Sequence, residues 1–280
     1  MTQAHNVPVL MYHHVSPVEG MITVSTANFE HQLQWLRNRG YRSLTCDEFA
    51  GHLEGRPVPP KSVLITFDDG YLDNWVYAYP LMKRYGFNGV IFLVTSWIGD
   101  GPVRPFLGHD ALPETPSHRE CEDRIGQGRA DEVMLRWSEI EAMRADGVFE
   151  FHSHTHTHTR WDLGPHKSQK NAHMAEELAQ SRATLLERLG CVSAHFCWPQ
   201  GYFDDDYVRL AQEAGFRYLY TTQAFGQNRA GTDPAHIYRF AVRNTTGQSV
   251  GRRIRVGAHP VIGPIFNRFK LWKRGRRKRA

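Results

Sequence analysis

The stretch Ser62-Val63-Leu64-Ile65-Thr66-Phe67-Asp68-Asp69-Gly70-Tyr71 constrains this chain more than any other. Its run of β-branched, aliphatic and aromatic residues reads as a buried strand. The strand ends in two adjacent carboxylates and a glycine, so it delivers acids to a loop, the usual place for chemistry. Consecutive strand residues point in opposite directions. Asp68 and Asp69 therefore belong to different subsites, one as a metal ligand and the other as a proton carrier.

Around this strand the pattern alternates. Residues 7–15 read as a first strand with His13 and His14 at its end, one expected as a hydrogen-bonded core histidine and the other as a solvated one. Ser25-Thr26-Ala27-Asn28 can cap a helix whose apolar stripe is Phe29, Leu33, Trp35 and Leu36 and whose stop is Gly40. Further strands are expected over 41–44, 89–95, 148–151, 194–198, 216–221 and 237–242, and helices over 47–53, 73–85, 137–146, 167–189 and 204–213. Strands alternating with helices predict an α/β fold with parallel strands, arranged as an incomplete or distorted barrel. The segment 99–131 breaks the rhythm with Gly, Pro, His and charge, and reads as a lid or an excursion.

A chain of 280 residues accommodates one α/β barrel and a tail. No stretch approaches the ~20 apolar residues needed to cross a bilayer. The start, Met1-Thr2-Gln3-Ala4-His5-Asn6, lacks the basic and apolar regions of a signal peptide, which predicts a cytoplasmic protein. Cys46, Cys121, Cys191 and Cys197 show no paired spacing and are expected as thiols. The net charge of +5 hides an asymmetry, because no acidic residue follows Asp233 while 13 of the 34 Lys and Arg do. The body is acidic and the C-terminal part strongly basic.

Four alternating histidines, His152, His154, His156 and His158, would share one face if the strand continued through them. Stacking four imidazoles builds no core. A divalent cation held by two of them and an Asp accounts for the pattern better, with open positions left for water. Spacing leaves open the pairs His152/His156 and His154/His158.

Thr66-Phe67-Asp68-Asp69-Gly70 resembles the first motif of the polysaccharide deacetylases, the fourth carbohydrate esterase family, and the segment from Glu150 to His158 resembles their second, Ser-His-Thr-x-x-His. The resemblance implies a distorted (β/α)7-type barrel in which Asp69, His154 and His158 hold a divalent metal ion, zinc first, with cobalt and nickel as alternatives. It makes Asp68 the general base and leaves His152 and His156 without a ligand role. The family's third motif, Arg-x-Pro-Tyr, falls on Cys197-Trp198-Pro199-Gln200, so its base-steadying Arg is replaced by Cys197 and Asp68 must rely on another cation. The backbone N–H of Gln200 can still serve an oxyanion, and Trp198 is placed with it at the substrate. Leu10-Met11-Tyr12-His13-His14 resembles the N-terminal element of the circularly permuted branch, the poly-N-acetylglucosamine deacetylases, which makes His13 the catalytic acid.

The implied activity is metal-dependent removal of N-acetyl groups from an amino sugar in a cell-envelope glycan or lipid-linked saccharide. The alternatives are a catalytically impaired glycan-binding member and a non-haem iron enzyme using the same His/His/Asp ligands. The catalytic domain is expected over 1–245 and a basic amphipathic tail over 246–280. Ile265, Phe266, Phe269 and Trp272 interleave with cations in that tail, which fits an anionic membrane surface, its inner face for a cytoplasmic protein, better than nucleic acid.

Overall fold

The structure, a computed structural model, describes residues 3–277. Its strands are β1 (Val9–Tyr12), β2 (His14–Val15), β3 (Thr23–Val24), β4 (Arg42–Ser43), β5 (Ser62–Asp69), β6 (Gly89–Leu93), β7 (Phe149–Ser153), β8 (His195–Cys197), β9 (Tyr218–Tyr220) and β10 (Phe240–Ala241). The helices are α1 (Thr26–Asn38), α2 (Cys46–Leu53), α3 (Tyr79–Tyr85), α4 (His118–Gly126), α5 (Trp137–Ala145), α6 (Lys170–Leu189), α7 (Asp205–Glu213), α8 (Gly247–Ala258) and α9 (Ile262–Arg277).

The main sheet is parallel and runs β10-β1-β5-β6-β7-β8-β9, with β4 beside the start of β5. This is the curled, helix-covered sheet that the alternation predicts. One short segment joins its two ends. Ile237 pairs with Tyr220 at the end of β9, and Phe240 pairs with Leu10 in β1.

Along β5 the pleat sorts the side chains. Val63, Ile65 and Phe67 pack outward against apolar residues of α1, α3 and α5, while Leu64 joins an inner cluster with Val9, Val90, Phe92, Cys197, Tyr220 and Ile237. β5 is buried along its whole length, so its uninterrupted apolar run is the signature of a strand covered on both faces.

The helix starts follow local chemistry. Ser25 accepts from the Asn28 N–H to cap α1, and Thr45 forms a capping box with Glu48 at α2. The segment expected as one helix over 73–85 splits into a π-helical turn, Asn74–Ala78, and α3. π-turns gather at functional sites.

α8 belongs to the packed body, not to a tail beginning at 246. Val250 and Ile254 lie in the same cluster as Trp35 and Leu36 of α1. A Cβ on Gly247 or Gly251 would overlap Trp35, so glycine is what lets the two helices approach. Of the basic tail, α9 is described, while Lys278, Arg279 and Ala280 lie outside the described residues. No helix among the described residues is long and apolar enough to cross a membrane.

Candidate active site

β5 carries its two acids to the mouth of the barrel and then leaves the strand conformation. Asp69 has φ 77°, a left-handed value that turns its carboxylate away from that of Asp68. β7 ends at Ser153, so the four histidines do not share a strand face. Thr155 and His158 have φ of 71° and 62°, and the chain coils.

The coil separates the four rings. His152 points into the barrel, where its Nδ1 pairs with Ser193 Oγ at 2.6 Å and its ring stacks on His195. His156 Nδ1 pairs with Thr95 Oγ1 at 2.9 Å. His154 and His158 turn to Asp69, their Nε2 atoms lying 3.3 and 3.5 Å from its Oδ1.

The loop is held by Glu177 of α6, a buried carboxylate that accepts from the N–H groups of His156 and Thr157 at 2.8 and 2.7 Å and from Trp161 Nε1 at 3.2 Å. His154 Nδ1 is 2.8 Å from the Cys197 carbonyl, which directs Nε2 toward Asp69. Asp69 Oδ1 is buried and makes no hydrogen bond, although two imidazole nitrogens stand near it. Three donor atoms within 4.8 Å of one another, one of them a buried carboxylate oxygen without a hydrogen bond, fit a divalent cation. An N,N,O set suits zinc and its neighbours.

Asp68 takes the opposite direction, into the barrel. Arg239, on the segment that joins the sheet ends, meets it with both terminal nitrogens, Nη1 to Oδ1 at 2.6 Å and Nη2 to Oδ2 at 2.8 Å. Arg239 is fully buried and is fixed from behind by Nε donating to the Thr221 carbonyl at 2.9 Å. This is the cation that Cys197 cannot supply. The Cys197 Sγ instead lies 2.9 Å from Arg239 Nη2, so the position left by the usual Arg makes room for a guanidinium arriving from the segment before β10.

Burial pushes the Asp68 carboxyl up, but Arg239 more than offsets this and holds it below the ordinary carboxylate range. Burial likewise raises Asp69, and the imidazoles beside it, His154 foremost, more than offset this and hold it below the ordinary carboxylate range. Burial takes His158 down to about 4.

His13 stands across the mouth, its Nε2 3.8 Å from Asp68 Oδ2. Burial lowers its pKa, against the pull of Asp68 and Asp69. The residues after the Asp-Asp-Gly turn position it. Asn74 Nδ2 donates to the His13 carbonyl at 2.8 Å, and Asp73 accepts from the Val15 N–H at 3.2 Å. His14 is the core histidine of the pair, buried with Nδ1 2.6 Å from Asp73 and Nε2 3.1 Å from His118 Nδ1.

These groups line a cleft of about 250 Å³ that also takes in Met21, Ile22, Tyr71, Trp97, His118, Glu122, Gln200 and Thr222. His118 and Glu122 come from α4, so the excursion over 99–131 forms a wall of the cleft. Gln200 lies at the rim with φ 51°, and its Oε1 accepts from Arg160 at 3.2 Å. Trp198 is a correction to the expectation from sequence. Its ring is fully buried among Phe196, Phe203 and Tyr207, behind the cleft, where it supports the loop from the core.

Arg239 and Glu177 were not anticipated. A lone Arg inside the expected strand 237–242 was the available signal, since a buried cation needs a buried anion. For Glu177 the signal was its place at helical spacing from Met174 and Ser181 on the buried face of α6.

A family model described as polysaccharide deacetylase matches residues 55–219. The Bacillus subtilis protein YxkH is 27% identical over 223 residues, 79% of this chain and 66% of its own length. A Staphylococcus aureus poly-β-1,6-N-acetyl-D-glucosamine N-deacetylase is 26% identical over 208 residues, 72% of this chain and 61% of its own length. The chain thus matches about two thirds or less of these relatives.

Among solved structures, IcaB from Ammonifex degensii superposes with a TM-score of 0.70 at 24% identity, over 90% of this chain and 98% of that one. The Streptococcus pyogenes deacetylase PplD gives 0.71 at 19%, over 90% and 99%. These two share the fold. With the matched region covering most of the chain and both carboxylates and the histidine loop inside it, the chain belongs to the polysaccharide deacetylase family.

Proposed function

We propose that this protein is a metal-dependent hydrolase that removes N-acetyl groups from an amino sugar in a glycan or lipid-linked saccharide. The observation that carries this reading is the meeting of two acid centres at one cleft: Asp69 with His154 and His158, and Asp68 clamped by Arg239 opposite His13. Asp69, His154 and His158 would hold the cation. A divalent ion there supplies Lewis acidity, polarising a carbonyl and lowering the pKa of water.

The chain's own residues do the rest. Asp68, kept ionised by Arg239, takes a proton from the attacking water. The rim at Gln200 offers a backbone donor to the oxyanion that develops on the acetamide carbonyl. His13 hands a proton to the departing nitrogen, and acetate and a free amine result. The clamp on Asp68 also speaks against an impaired glycan-binding protein, because the cation missing from the third motif is replaced in space.

The test is acetate release from N-acetylated glycans, with bound metal measured in parallel. The native chain is expected to bind about one divalent ion and release acetate, and to lose activity to a chelator and recover it on metal addition. Asp69→Ala should lose both the ion and turnover. Asp68→Asn should keep the ion and lose about 10²–10⁴ in rate. Full acetate release by Asp68→Asn removes the base assignment, and bound iron without acetate release favours the oxygenase reading.

A further inference from the structure

α9 is built the wrong way round for a helix that only packs on its own domain. Ile262, Ile265, Phe269 and Trp272 recur at the spacing of one helical face, and each is more than half exposed, at 51%, 64%, 53% and 56%. Val261, just before the helix, is 62% exposed. The described buried residues of the helix are small or polar, with Phe266 half-buried beside them at a crevice shared with Val9 and Phe240. Gly263 lies against the carbonyls of Val256 and Gly257, and Asn267 donates to the Gly226 carbonyl at 3.3 Å. The apolar stripe therefore faces away from the body.

The charge around the stripe restricts what can cover it. Arg268 is exposed beside it, Lys273, Arg274, Arg276 and Arg277 follow in the sequence, and no acidic residue occurs after Asp233. A second copy of the chain would bring like charges together. A nucleic acid would engage the cations and leave the aliphatic and aromatic groups in water. We propose that α9 lies in the interface of an anionic lipid bilayer, its Ile262–Trp272 stripe among the acyl chains and its cations at the headgroups. Trp is favoured at that depth, where its ring meets both media. The helix lies on the bilayer and does not cross it.

The inference is independent of the deacetylation chemistry, since no described side chain of α9 lines the cleft. Its test is flotation of the full chain with vesicles of equimolar phosphatidylglycerol and phosphatidylcholine, compared with phosphatidylcholine alone. The full chain is expected to float with the anionic vesicles and to remain behind with the neutral ones or at high salt. An Ile265→Asp, Phe269→Asp variant should lose about tenfold or more of the floated fraction while keeping the parent's melting temperature. Should that pair unfold the protein, Ile265→Gln, Phe269→Gln is read in its place.

A fluorescence blue shift on adding anionic vesicles should be lost in Trp272→Phe. Equal flotation of the parent and the stripe variant overturns the proposal, because the cations alone would then suffice. So does equal flotation with neutral vesicles. A full chain that sediments as a dimer, with a monomeric stripe variant and no flotation by either, assigns the stripe to a second copy and overturns the bilayer.

Discussion

Arg239 and Asp68 stand 171 positions apart in the sequence and meet through two hydrogen bonds inside the barrel, where both are buried. Such a pair contributes little net stability while intact, yet breaking it strands a charge. Arg239→Met is accordingly expected to cost about 3–5 kcal/mol in urea unfolding and to lower kcat for acetate release. Arg239→Lys should recover more of the stability than of the rate, since a point charge cannot reproduce the two-pronged grip. Glu177 acts at a distance from the chemistry by holding the histidine loop. Glu177→Ala should weaken metal affinity by about 10–100-fold, read by competition with a chromophoric chelator, with the cation ligands themselves unchanged.

Non-glycine residues with positive φ are concentrated at the cleft. Ile22, Asp69, His158 and Gln200 line it, and Thr155 sits between His154 and His158. Each such residue costs about 1–3 kcal/mol, which the surrounding packing must hold in place. Side-chain alternation foretold that Asp68 and Asp69 would diverge, but no pattern in the sequence announces a left-handed turn at Asp69 or His158. That is why the residue types of the site were legible and the choice between histidine pairs needed the family resemblance.

At the scale of elements, the strands and helices read from periodicity are present with shifted ends, since a strand stops where its ladder partner stops and not where its apolar run does. The expected strand over 7–15 is broken at His13, which frees that ring for the cleft. The last strand was legible as a strand but not as the joint of the sheet, because closure depends on partners far away in sequence. The α1–α8 contact escaped for a similar reason. Its glycines look like flexible-tail composition until Trp35 is seen above them. Gly251→Val is expected to cost about 1–3 kcal/mol in urea unfolding, because the added carbons must displace a buried indole.

For the molecule as a whole, the barrel interior sets a pH limit. His195 is buried between His152 and Tyr218, with Nδ1 3.0 Å from Tyr220 Oη, and burial holds its pKa well below the ordinary 6.5. The unfolded chain takes up a proton that the folded one refuses. The stability from its neutral burial is therefore complete above 6.5 and is lost as pH falls through 6.5 toward the folded value. The unfolding free energy from urea titrations should drop with a slope approaching about 1.4 kcal/mol per pH unit below that point, and His195→Gln should flatten the drop.

The segment that shuts the sheet also brings the guanidinium without which Asp68 would be a stranded charge. A nascent or nicked chain that ends before it carries every acid and imidazole of the cleft and still leaves Asp68 without its cation. On the proposed chemistry, copies cut short of Arg239 are expected to be silent toward any glycan they meet.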